Sequence, residues 1–195
     1  RIQTGNFEKA AELAEKEISQ DTTGFAYYFL GLAQQALDKK SEAKLSFTEA
    51  LIAGISLIDP FYFLARIYLE DHELSEARNI LQQGISVVDP ASISPEWSNK
   101  LGAIFYEIGD HQNSISWTER FLETQPSNIA ALKRLGSSYS ILQMPKPALN
   151  AYREALKLDR TDAQVHFNLS VVLRQLRELK TAQTHLELAG QLDPT

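Results

Sequence analysis

The chain has 195 residues, 44% of them hydrophobic and 23% charged, a globular balance that argues against an intrinsically disordered chain. Its 19 basic and 25 acidic side chains leave a net charge of −6 with no basic block, which argues against a nucleic-acid partner. It has no cysteine, so disulfide frameworks, thiolate metal sites and a cysteine nucleophile are excluded, and the compartment is left open.

Along the chain, small residues recur in similar frames at Ala10, Ala43, Ala77, Ser114, Ala148 and Ala182, spaced by 33, 34, 37, 34 and 34. Upstream of the last five come the pairs Leu30-Gly31, Leu64-Ala65, Leu101-Gly102, Leu135-Gly136 and Leu169-Ser170. Seven residues downstream come Ala50, Gly84, Phe121, Ala155 and Ala189. On these residues and this period the chain resembles the tetratricopeptide repeat (TPR) family. The resemblance implies an all-α fold, a right-handed superhelical solenoid of antiparallel helix pairs A and B. It implies one domain over 1–195, with a half repeat at 1–23 and full repeats at 24–57, 58–91, 95–128, 129–162 and 163–195. With the small residue at repeat position 20, positions 4, 7, 8 and 11 line the inner face of helix A. In repeat 129–162 these are Leu132, Leu135, Gly136 and Tyr139, opposed by Ala148, Tyr152, Ala155 and Leu156 of helix B.

The punctuation fits this frame in chain order. Gly5-Asn6-Phe7 reads as the turn before the first helix B, which runs from Ala10 to Ile18. Ala50 to Ile58, the longest weakly polar stretch, is nine residues, far short of the ~20 a membrane span needs. Asp59-Pro60 and Ser94-Pro95 read as an N-cap followed by Pro at the first helical position. The similar stretches from Gly54 to Pro60 and from Gly84 to Pro90 lie 30 residues apart and read as two helix-B exits. Ala91-Ser92-Ile93 reads as an inserted loop, Pro145 and Pro147 fall in the first turn of a helix B, and Asp162 is placed to cap the last helix A.

Little in the chain points to catalysis. His72, His111, His166 and His185 occupy repeat positions 15, 17, 4 and 23, read as different faces and units; none is paired at metal-ligand spacing, and His166 reads as a packed core residue. Nucleophile, phosphate-loop and zinc-protease motifs are absent, and the acidic residues are scattered on solvated faces. The expectation is a chain that is not an enzyme and holds no metal or cofactor.

Binding is expected instead on positions 2, 5, 9 and 12 of helix A, which the solenoid turns to its concave side. The candidate contacts are Phe25, Tyr28, Leu32, Tyr62, Arg66, Asn99, Tyr106, Lys133, Phe167 and Arg174, with Tyr62 and Arg66 as preferred anchors. The aromatic start of this stripe suits a partner peptide or helix with apolar anchors near one end. The basic clamp by which some family members hold a chaperone's C-terminal carboxylate is matched only at Arg134; Tyr62, Arg66, Lys100 and Ala130 hold the other positions. Arg66, Lys100 and Arg134 are read as a basic track. Two alternatives share the fold: a substrate-recruiting region of a larger enzyme such as a transferase, and a subunit of a bacterial secretion or envelope assembly. The opening Arg1 and the close at Pro194-Thr195 lead us to expect that the native chain extends both ways. The apolar residues Leu179, Leu186, Leu188 and Leu192 lead us to expect weak self-association through the last helix.

Overall fold

The computed structural model describes the backbone of residues 2–20 and 23–193, and the side chains of residues 6–20 and 23–193. Its helices are α1 (Ile2–Glu17), α2 (Phe25–Ala36), α3 (Lys40–Ile52), α4 (Ile58–Glu70), α5 (Leu74–Val87), α6 (Pro95–Ile108), α7 (His111–Thr124), α8 (Ile129–Ile141), α9 (Pro145–Leu158), α10 (Ala163–Gln175) and α11 (Leu179–Leu192). No strand occurs among the described residues, and none of their helices is long and apolar enough to cross a membrane. The helices fall into two compact units, Arg1–Ile93 and Ser94–Thr195. Within each unit, every helix packs on the next in sequence.

One turn builds every A–B pair. Position 15 of each repeat is left-handed: Asp38, His72, Gly109, Gln143 and Arg177 have φ of 60, 62, 80, 59 and 62°. The backbone then folds back, and the position-16 N–H donates to the position-11 carbonyl. The five bonds are Lys39 to Gln34, Glu73 to Tyr68, Asp110 to Phe105, Met144 to Tyr139 and Glu178 to Leu173, at 2.8–2.9 Å. This bond reaches back across the helix end and satisfies a carbonyl that would otherwise lack a partner.

Close contact between A and B follows from the small residue at position 8. A methyl group on Gly31 would stand 2.7 Å from the Phe47 ring, and one on Gly136 would stand 2.7 Å from the Tyr152 ring. Both rings are almost completely buried. Tyr28, Ala43, Phe47, Ala50, Ile55, Leu64 and Ile67 form the core of the N-terminal unit. In the C-terminal unit Leu132, Ala148, Tyr152, Val165, Leu169 and Val172 do so.

Several caps stand where the sequence placed them. Ser94 Oγ accepts from the Trp97 N–H at 3.3 Å, Asp162 Oδ1 accepts from the Val165 N–H at 3.0 Å, and Pro145 opens α9. Asp59 corrects the expectation: α4 begins at Ile58 after Leu57, so Asp59 lies inside the first turn and accepts from the Tyr28 hydroxyl at 3.1 Å. Gly5-Asn6-Phe7 is a second correction, because residues 2–17 form one uninterrupted helix. In that register the acceptor closing the turn would be Arg1, outside the described residues, and the backbone instead bonds along its own helix.

The two similar stretches also part company. Gly54 follows the end of α3 with a φ of 85°, whereas Gly84 lies buried inside α5, pressed against the Phe61 side chain. The insertion after α5 is a single 3₁₀ turn, Pro90–Ser92, capped by Asp89 and followed by a buried Ile93. Pro194-Thr195 lies outside the described residues.

Candidate partner-binding surface

The structure divides the ten candidate residues into two groups. Tyr28 is buried: its ring packs 6.4 Å from that of Phe47 and its hydroxyl is held by Asp59. Burial first, then the Asp59 charge and hydrogen bond, push that hydroxyl well above the usual tyrosine range. Tyr106 is hydrogen-bonded to Ser137 at 2.8 Å, 31 residues on, the same offset as Tyr28 to Asp59. Lys133 donates to Asp162 at 2.7 Å, and Asn99 accepts from Arg134 at 2.6 Å. Tyr62 is half-buried edge-on to Phe63, and Arg66 is half-buried too. Much of the stripe therefore ties each helix A to its neighbours.

The basic track dissolves for the same reason. Arg134 also donates to Thr118 at 2.9 Å, and its burial draws the guanidinium down to about 10. Lys100 pairs with Glu96 at 3.0 Å and lies over the Trp97 ring.

The exposed members are Phe25, Phe167 and Arg174, with Leu32 half-buried. Phe25 and Phe29 are 42% and 56% exposed, large values for phenylalanine, and their rings stack 6.5 Å apart. They edge an apolar groove of about 780 Å³ between α1 and α2, lined also by Phe7, Leu13, Leu32 and Ala33, with Glu17 and Gln20 at its rim. Phe29, at position 6, was missed by the sequence reading. Its signal is an outward position on a helix whose positions 3, 5, 7, 8 and 10 are buried. In the C-terminal unit, Phe167 and Leu186 line a second cleft of about 560 Å³ between α10 and α11. Leu179, Leu186 and Leu192 are exposed on α11, whereas Leu188 is half-buried.

The histidines correct another expectation. His166 and His185 belong to the same repeat, and α10 and α11 bring their Nδ1 atoms to 2.8 Å. His166 is buried, as expected of a packed residue. Among the described residues no group of three or more His, Asp or Glu is arranged to hold a metal ion.

A family model described as tetratricopeptide repeat matches residues 130–162, which hold α9 and all of α8 but Ile129. The fold matches the crystal structure of YrrB, described as a TPR protein with an unusual peptide-binding site, with a TM-score of 0.79 and 17% identity over 95% of this chain and 94% of that one. The chain folds as a tetratricopeptide repeat protein, and residues 130–162 match the family itself. A MamA structure from MSR-1 shares the TPR fold at a TM-score of 0.72 and 19% identity, over 89% of this chain and 98% of that one. The Arabidopsis thaliana protein CTR9 homolog is 34% identical over 100 residues, 48% of this chain and 9% of the relative. Anaphase-promoting complex subunit 3 of Schizosaccharomyces pombe is 22% identical over 95% of this chain and 28% of its own length. The peroxisomal targeting signal receptor of Saccharomyces cerevisiae is 29% identical over 49% of this chain and 16% of its own. This chain thus spans between 9% and 28% of the length of these relatives.

Proposed function

We propose that this TPR chain is a non-catalytic protein-interaction scaffold that seats a partner peptide or helix in the groove between α1 and α2. One observation carries the reading: two exposed phenylalanines, Phe25 and Phe29, stack at the edge of an open apolar groove of about 780 Å³. Apolar surface of this kind is stabilised by covering it, and aromatic anchors in a groove tend to dominate interface energy. The partner segment carries two or three apolar side chains spaced to reach Phe7, Leu13 and Phe25, with neutral or basic flanks beside Glu17. The peptide-binding site in the YrrB description and the targeting-signal receptors among the relatives support this class of partner. The net charge of −6 favours protein over nucleic acid.

The test uses a fluorescent peptide selected against the intact protein from a random display library. Replacing Phe25 and Phe29 together by Ser weakens its binding by at least ~2 kcal/mol if they are anchors, with the helical circular dichroism unchanged. Tyr62→Ala with Arg66→Ala, half-buried in the structure, weakens it less. Unchanged affinity in the folded Phe25→Ser/Phe29→Ser variant would refute the reading.

A second reading sets the same groove inside a larger assembly, as the complex subunit among the relatives favours. The exposed leucines of α11 support weak self-association as well. Light scattering over a concentration series checks this, with Leu186→Lys expected to abolish it. A strict monomer at every concentration would refute it.

A further inference from the structure

The helix-B side of the C-terminal unit carries a second, differently built cleft. It measures about 310 Å³ and is lined by Arg153, Leu156 and Lys157 of α9, Arg160 of the following loop, Leu169 of α10 and His185 of α11. Four basic side chains therefore edge one apolar-floored cavity in a chain of net charge −6.

One nearby carboxylate is held by the cleft's own Lys157, and the others are engaged elsewhere. Glu154 pairs with Lys157 at 2.6 Å, and Asp159 accepts from the Thr161 N–H and hydroxyl at 2.9 and 2.8 Å. Asp162 holds Lys133, and Glu187 accepts from Gln183 at 2.8 Å. Arg153 and Arg160 consequently make no ion pair among the described residues. Two unpaired guanidiniums offer forked N–H donors that match the spacing of oxygens on a tetrahedral anion.

The histidine pair fixes how His185 meets this cavity. His166 Nε2 lies 3.0 Å from the Arg160 carbonyl, which can only accept, so Nε2 carries the proton. In neutral His166, Nδ1 is then an acceptor, and it takes the Nδ1–H of His185 at 2.8 Å. The basic nitrogen left on His185 is Nε2. A proton added there leaves the Nδ1–H bond to His166 intact and makes His185 a further cation at the cleft.

We propose that this cleft binds a tetrahedral oxyanion, a phosphoryl group either free or carried on a peptide side chain. The apolar floor of Leu156 and Leu169 gives a carbon stem something to lie on, and the arginines hold the oxygens. The charged and titratable groups around His185 are His166 on α10, Arg153 and Lys157 on α9, and Arg160 in the loop. Burial first, then His166 and Arg153, hold the His185 imidazole below its ordinary range. A bound anion opposes the charge effects and favours the protonated ring.

The experiment titrates the intact protein with inorganic phosphate, phenyl phosphate and sulfate at constant ionic strength set with chloride. Calorimetry and the ring resonances of His185 provide the readouts. Saturable binding is expected, with Arg153→Gln and Arg160→Gln each weakening it by ~10-fold or more, while Lys146→Gln, a cation elsewhere on α9, leaves it unchanged. Sulfate, whose charge is constant in this range, binds more tightly as pH falls below the ordinary histidine value of about 6.5. Phenyl phosphate binding more tightly than phosphate supports a phosphorylated side chain as the source; equal affinity supports free phosphate. Non-saturable shifts reproduced by chloride, wild-type affinity in Arg153→Gln/Arg160→Gln, or sulfate affinity independent of pH would each overturn the proposal. The groove between α1 and α2 takes no part in these measurements.

Discussion

Four of the five A–B turns place a non-glycine residue in the left-handed region, and only the repeat holding Gly109 uses the residue suited to it. For an L residue that conformation costs about 1–2 kcal/mol, part of which glycine recovers against its larger loss of chain entropy. Gln143→Gly should therefore raise stability by about 0.5 kcal/mol net, read as a higher urea midpoint at unchanged slope. A lower midpoint would mean that the Gln143 side chain has a role of its own. Asp162 shows the opposite economy, with one carboxylate serving two partners. Burial alone would raise its pKa, but Lys133 and the Val165 N–H hold it below the usual carboxylate range. A carboxyl depressed on folding contributes stability above its unfolded value, and that contribution is lost as pH falls through the folded value. Asp162→Ala should cost about 1 kcal/mol near neutral pH, with the deficit shrinking below about pH 4. A deficit constant down to pH 2 would assign the loss to packing instead.

At the scale of the helix pair, shape complementarity at position 8 outweighs helix propensity. Alanine is the better helix former by about 1 kcal/mol, yet a methyl at Gly136 meets the buried Tyr152 ring at 2.7 Å. Gly136→Ala should destabilise the protein by about 1–3 kcal/mol through overpacking, and thermal denaturation by circular dichroism measures it. A stabilised variant would show that Tyr152 has room to shift. These pairs were legible in the sequence because small residues at positions 8 and 20 repeat wherever two backbones must approach. The caps at Ser94 and Asp162 were legible for a similarly local reason, since an N-cap is a contact three residues long. Asp59 was not, because its partner Tyr28 lies 31 residues upstream. The His166–His185 pair escaped too: 19 residues separate them, and only the antiparallel α10–α11 hairpin joins them. The binding stripe was half legible. The periodicity of one helix cannot separate a face covered by the next repeat, as at Tyr28, Tyr106 and Lys133, from a face left open, as at Phe25 and Phe167.

Across the whole molecule, burial and exposure assign different work to different surfaces. Polar members of the stripe join neighbouring helices, the exposed phenylalanines beside α1 offer an anchoring groove, and the helix-B side of the C-terminal unit gathers positive charge. Partner binding in the groove between α1 and α2, as proposed, is tested by amide and side-chain methyl resonances recorded while the display-selected peptide is added to the intact protein. Perturbations should concentrate on Leu13, Ala26, Leu32 and Ala33 and on the ring protons of Phe7, Phe25 and Phe29, and vanish in Phe25→Ser/Phe29→Ser. Perturbations confined to helix-B surfaces such as that of α9, with those groove signals unmoved, would contradict it.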